Sequence, residues 1–184
     1  EKIGQISPTD FYFTLSKTRE HAFFISLNQP EPLLGLIDKS MVRHQITSTF
    51  YQQLKKLLDH AFIHSLELLE NNRVVCLRLS TTSPIFVTEE KTLYIELISQ
   101  QPNLVLVDHL GKILLVLNAK TDLNNKRPLM RQLIYHPPLV QANFPRLSKD
   151  KELLLTSRPD NPTFLNTPTL YLVDNKPSSL PAEA

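Results

Sequence analysis

Apolar positions recur along this chain with two different periods, and each change of period marks an element. FYFTLS (11–16) and AFFISL (22–27) are rich in aromatic and β-branched residues and flank the polar KTREH, the pattern of a β-hairpin. NQPEPLLG (28–35) then breaks regular structure with two prolines and a glycine. From about Ser40 to Ile63 the period becomes helical: Ile46, Phe50, Leu54, Leu57, Leu58 and Ala61 share one stripe, and Gln52, Lys55, Lys56 and Asp59 lie opposite. HSLELLE, RVVCLRLS and, beyond the proline-marked TTSPIF, TLYIELIS, NLVLVD and KILLVLN read as strands joined by short polar links. This spacing predicts an antiparallel meander with the helix over about 40–63 packed on one face.

After Asn118 the chain turns polar and proline-bearing, which predicts mostly extended chain or loop, a helical turn at KDKELLL and a last strand at TLYLVD (169–174). The expected organisation is one α+β domain over 1–145, built of antiparallel sheets and one principal helix, followed by an extended segment over 146–184. With 184 residues the chain can bury a sizeable core. It opens EKIG without an initiator methionine, from which a longer gene product is expected.

Composition narrows the function classes. Lys and Arg number 20 against 18 Asp and Glu, so bulk charge does not mark a polyanion binder and any basic site is local. The single cysteine, Cys76, excludes an internal disulfide and a multi-cysteine zinc site, and fits a reducing compartment. No apolar run reaches the roughly 18–20 residues of a membrane span, and no signal peptide is visible, so a cytoplasmic location is expected. Only three glycines occur, with neither GxGxxG nor GxxxxGK[ST], which sets aside phosphate binding by those loops.

Individual side chains offer little catalytic chemistry. His60 and His64 have the four-residue spacing of two metal ligands on a helix, but no HExxH glutamate follows and no third ligand stands near. Cys76 lies in RVVCLRL, where a free cysteine behaves as a small buried hydrophobe. No serine sits in a GxSxG elbow. Glu89 and Glu90 look like a solvated turn, whereas Glu96 alternates with Tyr94 and Ile98, which places it on a wet strand face or in an ion pair. Basic residues at element ends are Lys55 and Lys56 on the helix, Arg73 and Arg78 beside a strand, and Lys126, Arg127 and Arg131 in the proline loop. Point charges and guanidinium forks of this kind suit phosphate contacts, as they also suit ordinary solvated surface.

Taken in order, several stretches resemble the N-terminal region of the NFACT family, which includes the proteins first called fibronectin-binding protein A and the ribosome quality-control factors of bacteria and eukaryotes. FYQQLKKLLDHAFI is similar to the family's FCMLLRKHLEGARI, with His60 in place of the usual glycine. LYIELISQQPNLVLVD is similar to LYIELMGRHSNIILVD, keeping Glu96, Asn103 and Asp108, with Ser99 where glycine is usual. Arg127 through Tyr135-His-Pro-Pro follows the spacing of the family's R…PGxPYxxPP, and TLYLVDNKP resembles PTLYxxxxKP. The family carries a helix-hairpin-helix insertion between the last two, and this sequence has only about thirty residues there.

The resemblance implies an N-terminal domain distantly like that of formamidopyrimidine-DNA glycosylases, in a factor that binds the large ribosomal subunit and tRNA and supports C-terminal tailing of stalled nascent chains. It implies no active site, cofactor or metal, because peptide-bond formation belongs to the ribosome. The family's Asp-Arg pair, implicated in tRNA engagement, falls on Asn72-Arg73 in ENNRVV. Arg73 keeps the guanidinium fork, while Asn72 lacks the charge of aspartate. The implied tRNA- and RNA-binding residues are therefore Asn72 and Arg73, with Lys55, Lys56 and Arg127 as phosphate contacts. Two alternatives follow from the same resemblance: a fibronectin-binding surface adhesin, and a diverged member that binds RNA or ribosomes without tailing.

Overall fold

The computed structural model describes residues 2–16, 20–58, 60–69, 72–82, 87–121 and 127–139. Its regular elements are β1 (Lys2–Gln5), β2 (Asp10–Thr14), β3 (His21–Ser26), β4 (Leu33–Asp38), α1 (Thr49–Leu58), β5 (Phe62–Leu68), β6 (Val74–Thr82), β7 (Thr88–Glu96), β8 (Asn103–Asp108) and β9 (Ile113–Val116). Among the described residues, β1 to β4 form one antiparallel sheet and β5 to β9 another, each with its strands in sequence order. The predicted α+β class and meander are both present. The possible strand at 169–174 and the turn at KDKELLL lie outside the described residues.

The first hairpin forms as its alternation predicts, Phe11 and Phe13 of β2 turning into the core while β2 pairs with β3. The break expected over 28–35 is shorter. Leu33 to Gly35 join β4 because Leu34 is buried and Gly35 pairs with Phe24, so strand pairing overrides the proline-rich start of the segment.

The α-helix expected over about 40–63 forms only at Thr49–Leu58, with a separate 3-10 turn at Lys39–Met41, and specific contacts account for both ends of α1. Gln5 is fully buried; its Nε2 donates to the Pro8 carbonyl, and the 44–48 segment meets its other polar groups. His44 Nδ1 accepts from the Gln5 N–H, the Gln45 N–H donates to the Gln5 carbonyl at 2.9 Å, and the Ser48 N–H donates to Gln5 Oε1 at 3.1 Å. Ser48 then caps α1, its Oγ accepting from the Tyr51 N–H. At the other end His60 adopts φ 54°, the left-handed conformation that closes helices and favours glycine. The next residues are drawn into β5 by pairing with β6. Tyr51 takes the core place expected of Ile46, beside Leu54 and Leu58.

Both sheets and α1 share one core. Ile3, Phe11, Phe13, Phe23 and Ile25 meet Leu54 and Leu58 of the helix and Leu77, Leu93, Ile95, Leu104 and Leu106 of the second sheet. Helix α1 packs against β1 of one sheet and β9 of the other. The outer face of the second sheet carries a separate cluster of Val105, Val107 and Ile113, covered by Leu129 and Tyr135. The described residues 127–139 form no helix or longer strand, and they cover that face.

Gly4 on β1 sits opposite Tyr12, whose ring lies 2.0 Å from where a Cβ at position 4 would fall. Gly4→Ala is expected to cost ~1–3 kcal/mol because that ring must be displaced. In a Tyr12→Thr background the same substitution should cost much less; equal losses by urea unfolding would refute the contact.

Candidate functional site

Glu96 ends β7 on the face that carries Tyr94, and the chain from Arg127 to Pro138 folds over it. Only 1% of its surface is exposed. An ionised carboxylate buried this far requires paired charge and donors. Arg127 supplies both, with Nη2 and Nη1 directed at the two carboxylate oxygens, and the Tyr135 hydroxyl donates to Oε1 at 2.9 Å. Arg127 Nε donates to the His136 carbonyl at 2.5 Å, and the Tyr135 ring stacks on Tyr94 with centroids 4.1 Å apart. Burial first, then the Glu96 carboxylate, pushes the Tyr135 phenol far above its ordinary range, so it stays a donor.

This anchor holds the Tyr135–Pro138 loop against the start of β6. Asn72 Nδ2 donates to the Pro138 carbonyl at 2.9 Å, and Asn72 Oδ1 accepts from the Arg73 N–H at 2.9 Å. The Leu97 N–H donates to the Arg73 carbonyl at 2.7 Å, and Arg73 Nη1 donates to Ser99 Oγ at 3.3 Å. Arg73 is half-buried. The fold thus gathers Asn72, Arg73 and Arg127, three of the sequence-derived candidates, around one loop.

The remaining candidates lie elsewhere. Lys55 and Lys56 are exposed in the last turn of α1, where cations also complement the helix dipole. Arg127, expected to face phosphate, is turned inward to Glu96 and is 15% exposed. Arg78 pairs with Glu67, and Lys126 lies outside the described residues. Sequence reasoning missed Tyr135 and Ser99 as partners of the site; the YHPP spacing pointed only to Tyr135, and Ser99 stood out only as a serine where the family has glycine.

Glu96 takes the ion-pair role. Glu89 and Glu90 belong to β7 rather than a turn, because β6 pairs with both, and Glu89 binds Lys91 at 2.8 Å. His60 and His64 do not share a helix face, since α1 ends before them; His64 Nε2 meets Ser80 Oγ at 2.8 Å. Cys76 is buried, and that burial raises its thiol pKa. Asn103 is buried in β8 and donates to the Asn118 carbonyl, fixing the end of β9. The arrangement presents a guanidinium tethered to Ser99 beside a loop held at the His136 and Pro138 carbonyls.

The family model described as NFACT N-terminal and middle domains matches residues 1–168. The Rqc2 homolog RqcH of Streptococcus pneumoniae serotype 2 (strain D39 / NCTC 7466) is 27% identical over 175 residues, 93% of this chain and 32% of that protein. The chain therefore spans about a third of that relative's length. The N-terminal domain of fibronectin-binding protein PavA from Streptococcus pneumoniae superposes with a TM-score of 0.70 at 29% identity, covering 83% of this chain and 58% of that one. The N-terminal part of the fibronectin/fibrinogen-binding protein FBPS from Streptococcus suis gives 0.71 at 23% identity, covering 86% and 62%, a likeness of fold.

Two outcomes test the anchor. Glu96→Gln should cost ~3 kcal/mol in urea unfolding, since Arg127 is left without its counter-charge, whereas Glu96→Met with Arg127→Leu should recover much of that loss. The raised Tyr135 phenol sets the sign of a pH effect. Its stabilisation is complete below the unfolded pKa of about 10 and is lost as pH rises above it, because only the unfolded state then ionises readily. Tyr135→Phe should flatten the alkaline fall in stability; an unchanged slope would refute the assignment.

Proposed function

The chain belongs to the NFACT N-terminal and middle domain family, and from that premise we propose that it is the N-terminal domain of a ribosome quality-control factor. It binds tRNA and the large ribosomal subunit in the cytoplasm and positions them, without chemistry of its own. Support for C-terminal tailing of stalled chains belongs to the same proposal, with peptide transfer left to the ribosome.

The observation that carries the reading is the setting of Arg73. Arg73 is half-buried just before β6, its guanidinium is tethered to Ser99, and its backbone is held at both N–H and carbonyl. A fork placed this way is pre-organised for phosphate or a base edge and loses little entropy on binding. Asn72 completes the site, and Lys55 and Lys56 add exposed charge for the backbone of an RNA. Arg127 contributes by holding the loop, since its guanidinium is committed to Glu96.

A second reading is favoured by the likeness to the N-terminal domain of a fibronectin-binding protein from Streptococcus pneumoniae. In that case the domain presents its surface to fibronectin. Among the described residues no helix is long and apolar enough to cross a membrane.

The deciding experiment is co-sedimentation with large subunits and direct titration with tRNA at moderate salt. Arg73→Ala should weaken both by about tenfold, the loss of one charge-assisted contact. Lys55→Ala and Lys56→Ala should each lower the salt-dependence slope by about one or less, with a smaller loss of affinity. If Arg73→Ala leaves binding unchanged in a folded protein, the site is wrong; fibronectin binding with no RNA affinity would favour the second reading.

A further inference from the structure

Asn72 stands between two groups with opposite hydrogen-bonding needs. The Arg73 N–H requires an acceptor and finds Oδ1; the Pro138 carbonyl requires a donor and finds Nδ2, each at 2.9 Å. Only a group that both accepts and donates serves the two at once, and these partners fix which way the amide points.

Each side of this bridge is itself fixed. Pro138 closes the loop that Glu96 holds through Arg127 and the Tyr135 hydroxyl, with the Tyr135 ring stacked on Tyr94. The His136 carbonyl is engaged by Arg127 Nε. On the other side, the Arg73 carbonyl accepts from the Leu97 N–H, one residue after Glu96. The buried carboxylate and the bridging amide therefore brace the same two strand ends and one loop.

We infer that Asn72 is a positioning residue: its carboxamide couples the Tyr135–Pro138 loop to the Arg73 backbone and keeps the guanidinium in one placement relative to that loop. This deepens, and rests on, the tRNA-binding role proposed for Arg73. Asn72→Asp keeps an acceptor for the Arg73 N–H but turns an oxygen towards the Pro138 carbonyl, which repels the loop. Asn72→Ala removes both bonds and adds no charge.

The test is a double-mutant cycle in the full chain, with unfractionated deacylated tRNA as the probe, together with the NMR signal of Arg73 Nε–Hε. Asn72→Ala should weaken tRNA binding about fivefold in the parent and change it little when Arg73 is already alanine, because the effect passes through Arg73. Equal weakening in both backgrounds, or none in the parent, overturns the inference. If Arg73→Ala alone leaves tRNA binding unchanged, the proposed function of Arg73 fails, and the NMR signal decides the positioning claim. Displacement of that signal in both Asn72→Ala and Asn72→Asp upholds it, and an unmoved signal overturns it.

Discussion

A carboxylate buried in the outer face of a β-sheet is tolerated only where the surrounding chain brings it a counter-charge and donors. Glu96 is such a group, and much of the organisation around the second sheet follows from it. Arg127 and Tyr135 both converge on it. The 127–138 segment that carries them is thereby drawn across β7 to β9, covering Val105, Val107 and Ile113 with Leu129 and Tyr135. The energetic value of such a pair over an apolar replacement is small or negative, whereas breaking one half of it is costly. Its contribution is a defined geometry. An apolar cover could slide, while a bidentate guanidinium and a phenol fixed on one carboxylate cannot.

That geometry reaches the candidate binding residues. Tyr135 begins the loop that ends at Pro138, and the Pro138 carbonyl meets Asn72 beside Arg73. Scaffold and site are therefore not separate regions. Two of the residues through which the β7–β8 segment resembles its family, Glu96 and Asn103, act as internal anchors: one for the loop over the sheet, the other for the end of β9. Arg127 directs both its charge and its fork inward to Glu96.

A parallel device operates in the first sheet. Gln5 is fully buried, and its backbone and side-chain oxygen are satisfied by the 44–48 segment that leads into α1. This fixes where the helix begins and sets it against β1 and β9, so one short helix joins the two sheets to a common core. Buried polar groups, each with specific partners, thus determine how the chain crosses between its apolar layers.

The local pattern of side chains by itself determined the strands, because alternation at period two leaves one face to bury: Phe11 and Phe13, or Leu93 and Ile95, could point only inward. It also determined that a helix lies around Leu54, that Cys76 is a core residue, and that Glu96 needed a partner or water. The resemblance carried by Glu96, Asn103 and the YHPP spacing gave the family. What the sequence could not determine was the helix boundaries, the inward turn of Arg127, and the meeting of Asn72 with Pro138. These rest on contacts between residues far apart in the chain, Gln5 with Ser48, Glu96 with Arg127, and Asn72 with Pro138. Periodicity reports only what each residue does to its own neighbours. Partners for buried polar groups are chosen after the layers pack, so tertiary structure alone decided them.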